Sequence, residues 1–289
     1  GAAYNPAVLN RQRVVVEFLL RASGPLSKLH LAELLFLCAR EANAAEAMPF
    51  YDFFPHHVGP YSFSLEHDLR DLAAQGLVAI DGGRVSADGG VQARMTVSRL
   101  SNAQQIPARL TLHTYGALGL KELVAQVQGR YPEFTRRGLE TAASRAGVVY
   151  TIGYEGRSAD SFFDRLLRAG VRRIVDVRRN PYSRKGGFSK APLQLFGRRL
   201  GIGYTHLPEL GIASAERANL SSAADYDALF ERYERTTLRE AAEAIDGVAR
   251  LQSAEPAALL CFEADPARCH RGRLAKAVAA ASGMPIVHL

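Results

Sequence analysis

The chain has 289 residues, 47% of them apolar, and a formal net charge of +7. That length suits two domains of ordinary size, each with its own core. No run approaches the roughly 20 apolar residues of a membrane span, and three cysteines, Cys38, Cys261 and Cys269, are too few for a disulfide framework.

The start, Gly1-Ala2-Ala3, reads as a cleavage remnant and not as a signal peptide. The expectation is a cytoplasmic protein with no membrane partner. No cysteine pair has zinc-finger spacing, and His30, His56 and His57 make no ligand set with Cys38, so neither a metal nor another cofactor is expected. The positive charge is uneven: residues 149–289 hold 21 Lys and Arg against 16 Asp and Glu. It concentrates between Arg165 and Arg199, a pattern that suits either a polyanion or a solvated surface.

In chain order, Val15, Phe18, Leu19 and Leu20 predict a helix over 8–22, ended by Ser23-Gly24-Pro25. Ser27 has the character of an N-cap, and behind it Leu31, Leu34, Leu35 and Cys38 repeat on one helical face. A loop from Phe53 to Gly59-Pro60 leads to a third helix with Leu65, Leu69 and Leu72, stopped at Gly76. The run Leu77–Ile80, the turn Asp81-Gly82-Gly83 and Arg84-Val85 predict a hairpin. Helices followed by a hairpin predict a mainly α, winged-helix-like domain over 1–100. Leu26 to Val78 also resembles the antitoxin-associated Panacea type of domain. Such a module serves either DNA or protein docking; Glu66, Asp68 and Asp71 against Arg70 alone weigh against a major groove. The adjacent His56 and His57 are read as incidental. Residues 101–147 predict bridging helices, including Leu118–Val127 and Phe134–Ala146.

From residue 148 onward strands and helices alternate. Predicted strands are Val148–Tyr154, Arg173–Arg178, Gly203–Leu207, Ala258–Glu263 and Pro285–Leu289. Between them lie a helix capped by Ser158 and ended by Gly170, a short helix over Pro192–Leu200, a long helix over Tyr226–Leu251 and a helix over Cys269–Ala281. Strands apolar on both faces predict a Rossmann-like α/β domain over 148–289, a mostly parallel sheet with helices on both sides. Ligands of such sheets bind at the carboxyl ends of the strands, where the chain places Tyr154, Arg157, Asp176, Arg178 and the segment from Glu263.

Those segments carry a family resemblance. Tyr150–Tyr154, Asp176-Val177-Arg178 with Pro181 and Ser183, Gly203–Gly211, and Cys261-Phe262-Glu263 with Cys269-His270-Arg271 resemble the domain-of-unknown-function family 488 over residues 149–289. One departure is Ile212, where the family pattern has a second glycine. The resemblance implies the fold and, by analogy alone, a role related to nucleic acid.

Asp176 and Glu263 are the candidate catalytic carboxylates, able to activate water or to stabilise a sugar cation. The alternative for Asp176 is an ion pair with Arg178 or Arg271. Cys269, His270 and Arg271 open a helix, which favours binding of a phosphate and could also activate Cys269 as a nucleophile. Cys261, inside a strand, is read as core. Tyr154, Tyr182, Phe188 and Phe262 could stack a base, while Arg157, Arg178, Ser183 and Arg184 could hold phosphate. The reading is a nucleic-acid-processing enzyme, of the metal-independent DNA glycosylase or base-repair type. A ligand-sensing DNA-binding regulator and a cysteine-dependent sulfurtransferase stay open beside it.

Overall fold

The computed structural model describes residues 7–135, 146–217, 220 and 222–289. The chain divides into two compact units, residues 1–141 and 142–289.

The N-terminal unit begins with α1 (Asn10–Arg21), β1 (Leu26–Ser27) and α2 (Lys28–Arg40), followed by the single turn α3 (Ala44–Ala47). Ser27 caps α2 as expected, its side chain accepting from His30 N at 3.1 Å. The loop expected near Phe53 holds a small strand pair, β2 (Phe54–His56) with β3 (Gly59–Tyr61). Next come α4 (Phe63–Ala74), capped by Ser62, and the hairpin β4 (Val78–Asp81) with β5 (Arg84–Ala87). β1 adds to that hairpin, giving a three-stranded antiparallel sheet in the order β1-β5-β4. Then follow α5 (Val91–Val97), α6 (Asn102–Tyr115) and α7 (Leu120–Arg130). The helices expected to bridge the domains pack into this unit instead: Ala108, Tyr115, Leu123 and Val127 share a core with Val15, Phe18, Leu35 and Leu69. Of the helix expected over Phe134–Ala146, Phe134 ends a short 3-10 turn that starts at Pro132, and residues 136–145 lie outside the described residues.

The C-terminal unit is the predicted parallel sheet. Its strands are β6 (Val149–Gly153), β7 (Arg173–Asp176), β8 (Gly203–His206), β9 (Ala257–Cys261) and β10 (Ile286–His288). They pair in parallel in the order β10-β6-β9-β7-β8. Every residue of β6 and β9 is buried, because helices cover both faces. One layer holds α8 (Ala159–Arg168), capped by Ser158, and α9 (Lys190–Arg199). The expected long helix is three pieces, α10 (Ala223–Arg235), α11 (Thr237–Glu240) and α12 (Ala242–Ala254). The break falls at Thr236, which leaves the helical region at φ −110° and ψ −80°, and Leu238 beyond it is buried. Together with α13 (His270–Ser282), these pieces pack on Val149, Val175, Ala257 and Leu259.

The order of the strands positions the site. β9 enters late in the chain and fills the slot between β6 and β7, so the ends of three strands converge on its last residue, Cys261. Among the described residues no helix is long and apolar enough to cross a membrane.

Candidate functional site

At the end of β7, Asp176 is fully buried and held from two sides. Its Oδ1 accepts from Arg178 Nε at 2.8 Å and from Arg178 N at 3.1 Å. Its Oδ2 accepts from Arg178 Nη2 and from Tyr204 Oη, both at 2.6 Å. Burial opposes the Arg178 charge, but its bonds and attraction to Asp176 outweigh burial and hold the guanidinium above its ordinary value. Burial, then the bond to Asp176, likewise raises the Tyr204 phenol far above its ordinary value. Arg178 Nη1 donates to Tyr154 Oη at 3.0 Å and to the Phe188 carbonyl at 2.9 Å. The ion pair is therefore the frame on which Tyr154 and the β7–α9 loop hang. Asp176 is not among the residues that line the cavity described below.

The end of β6 meets the end of β9 closely. Tyr154 N and Glu155 N both donate to the Phe262 carbonyl, at 3.0 and 2.8 Å. A Cβ on Gly153 would stand 1.9 Å from the Glu263 carbonyl oxygen, so this approach requires glycine. Arg271, 1% exposed, donates to the Glu263 carbonyl, and to the Ala264 carbonyl at 2.9 Å. It braces the β9–α13 loop and is not among the residues lining the cavity described below.

Beneath the loop lie Cys261, Cys269 and His270, each 1% exposed. One ligand atom from each lies within 4.8 Å of the others. His270 Nε2 faces the Val177 carbonyl at 3.0 Å and must carry the proton there, since a carbonyl only accepts. In the neutral ring Nδ1 is then an acceptor, and it stands 3.5 Å from Cys261 Sγ. On its other side Cys261 Sγ meets Glu263 Oε2, also at 3.5 Å. Burial, then the contact with Cys261, pushes the Cys269 thiol well above its ordinary value. The helix N-terminus, expected to lower it, is outweighed, so Cys269 is no ready thiolate.

Of these groups, Cys261 and His270 border a cavity of about 190 Å³ at the ends of β6, β7 and β9. Tyr154, Arg178, Tyr182, Cys261, Phe262 and His270 line it. Tyr182 and Phe262 are exposed, whereas Phe188 is buried and stacks on Tyr154, centroids 4.4 Å apart and planes at 11°. Phe188 is thus packing. Ser183 is taken up inside its own loop, bonded to Ser189 Oγ and Lys185 N. Arg157 donates to the carbonyls of Gly153 and Leu289. Arg184 is exposed on the same loop as Tyr182.

Sequence reasoning missed Arg179, Asn180, Ile212 and Cys261 as cavity residues. Gly211 was the available signal for Ile212. A Cβ there would meet Arg179 N at 2.2 Å, so the Leu210-Gly211-Ile212 segment lies against the end of β7. A larger, open groove of about 760 Å³ lies beyond Arg179, lined by Glu209, Glu216, Glu240 and Glu243, and those carboxylates make it a poor bed for a polyanion.

Residues 158–278 match the family model described as Domain of unknown function DUF488, which places the expected resemblance in the C-terminal unit. No curated protein and no solved structure matches the chain.

Proposed function

We propose that the C-terminal unit is a nucleic-acid-processing hydrolase of the N-glycosylase type, taking one base of a DNA strand into the cavity at the ends of β6, β7 and β9. One observation carries this reading: the exposed rings of Tyr182 and Phe262 and the exposed Arg179 surround one small cavity. Pockets for drug-sized ligands run to about 300–1,000 Å³, so a cavity of about 190 Å³ fits a single ring system. A flipped base needs a snug pocket and faces to stack on, and its flanking phosphates need cations. Arg179, exposed on the cavity wall, supplies one such cation, and Arg184 and Lys190, exposed on the loop and helix that follow β7, supply others.

Glu263 is the carboxylate of this reaction. It is half-buried where Asp176 is fully buried, two residues beyond β9, with its Oε2 3.5 Å from Cys261 Sγ of the cavity wall. Water adds at the sugar C1′. The bond from C1′ to the base nitrogen breaks, its electron pair leaving with the base, and the proton released by the water goes to that nitrogen. Glu263 stabilises the positive charge that develops at the sugar and orients the water. Asp176 acts through Arg178 as a positioning residue. The N-terminal unit, on its order α1-β1-α2-α4-β4-β5, is read as winged-helix-like and as a second contact to DNA.

The test is a strand-scission assay on end-labelled single- and double-stranded DNA carrying a panel of modified bases, followed by alkali. The expected result is an alkali-dependent break at one base, lost in Glu263→Gln. No break at any base with DNA binding retained would overturn the reading in favour of a ligand-sensing regulator.

A further inference from the structure

We propose that Cys261, Cys269 and His270 form a zinc site whose fourth position opens into the cavity at the end of β9. The three donors come together only in the fold, two from the β9–α13 corner and one from the end of the strand.

The spacing fits. Zinc bonds of about 2.3 Å to sulfur and about 2.0–2.1 Å to nitrogen, at a tetrahedral angle, put the two donors about 3.5 Å apart. Cys261 Sγ and His270 Nδ1 stand 3.5 Å apart, and the full set lies within 4.8 Å. The support for the histidine is also in place. Metal-bound imidazoles usually donate their second N–H to a carbonyl or carboxylate, which fixes the tautomer and aims the other nitrogen. His270 Nε2 does this to Val177, 3.0 Å away, and leaves Nδ1 toward the sulfur.

The coordination count follows from the walls. Structural zinc sites close with four protein ligands, whereas sites with three keep a position for water or a ligand. Cys261 and His270 both line the cavity, so the open side of the set faces it. On binding, the two thiols release their protons to solvent. Zinc with two thiolates and a neutral imidazole carries no net charge, which suits residues 1% exposed. Nothing is oxidised or reduced. Thiolate and imidazole donors favour zinc over magnesium or calcium, which take oxygen ligands.

The test uses the full chain kept reduced throughout. Zinc is quantified after dialysis against micromolar zinc, and cobalt is titrated in as a spectroscopic probe. The expected result is one zinc per chain and a near-ultraviolet thiolate-to-cobalt charge-transfer band. Cys269→Ser and His270→Gln should each weaken uptake by at least about 100-fold, because losing a ligand exceeds the roughly 10- to 100-fold cost of losing a supporting bond. Cys38→Ala, in the other unit, should leave uptake unchanged. Should a ligand variant fail to fold, the wild type alone decides, since zinc must protect Cys261 and Cys269, but not Cys38, from alkylation in mild denaturant. A reduced wild-type chain that takes up no zinc and shows no cobalt band would overturn the proposal. Full uptake in both ligand variants would overturn it equally. Neither readout involves DNA, so the failure of this inference and the failure of the hydrolase reading are separate results.

Discussion

Arg178 grips both oxygens of Asp176, through Nε at 2.8 Å and Nη2 at 2.6 Å, and neither side chain is more than 7% exposed. Breaking one half of such a pair strands a buried charge, which costs about 3–5 kcal/mol. Asp176→Asn should therefore lower the unfolding free energy by that amount. Tyr204→Phe, which removes one of several donors to the same carboxylate, should cost about 1–2 kcal/mol. Urea unfolding followed by circular dichroism checks both. A fully stable Asp176→Asn protein would contradict the positioning role and return Asp176 to the catalytic candidates.

Gly153 and Glu263 are joined by a contact that admits no side chain. Gly153→Ala would push a Cβ to within 1.9 Å of the Glu263 carbonyl oxygen and to 3.1 Å from Arg271 Nη1. The obstacle is backbone held by Arg271, so it cannot rotate away. The expected loss is about 3 kcal/mol or more, at the upper end of overpacking costs, together with displacement of the β9–α13 loop. Gly156→Ala is the contrast: nothing lies within 4 Å of its Cβ, and only the backbone strain of φ +73° is paid.

How legible all this was in the sequence depends on whether a feature is local. Ser27 and Ser158 cap helices through bonds to residues three positions on, so their roles could be read directly. The strands were legible because Val149–Gly153 and Ala257–Cys261 are apolar on both faces, which only a doubly covered sheet explains. The break at Thr236 was not, because the apolar pattern runs on through it to Leu238 and Ile245. Cys261 looked like core for the same reason. Its neighbour His270 faces it only because β9 lies between β6 and β7, a matter of strand order that no local pattern records. Asp176 was correctly placed at a strand end, but the parallel register of β7 with β8, which brings the Tyr204 hydroxyl to its second oxygen, was not legible.

Tyr182 offers a test of binding that leaves the fold alone. Its side chain is 69% exposed at the mouth of the cavity. Tyr182→Ala should leave stability within about 0.5 kcal/mol. Loss of one stacking face should weaken single-stranded DNA binding by about 1–3 kcal/mol. Fluorescence anisotropy with a labelled oligonucleotide reads this out, and unchanged affinity would count against base stacking at this wall.

Glu33 carries the last prediction, on pH. It is fully buried in α2, and neither carboxylate oxygen has a hydrogen-bond partner among the described residues. Burial pushes its carboxyl from the ordinary 4.5 up to about 8. A raised carboxyl makes the folded state the better proton binder, so the sign is opposite to that of an ion-paired acid. Stability from this group is full below its ordinary value and falls as the pH climbs toward about 8, where the folded protein must ionise Glu33 in an apolar setting. Glu33→Gln keeps the shape and removes the charge. Its unfolding free energy should be flatter than that of wild type between about pH 5 and about pH 8, and higher at the upper end by more than about 1 kcal/mol. Parallel curves for the two proteins across that range would show that Glu33 finds a cation or water that stabilises its charge in the folded state.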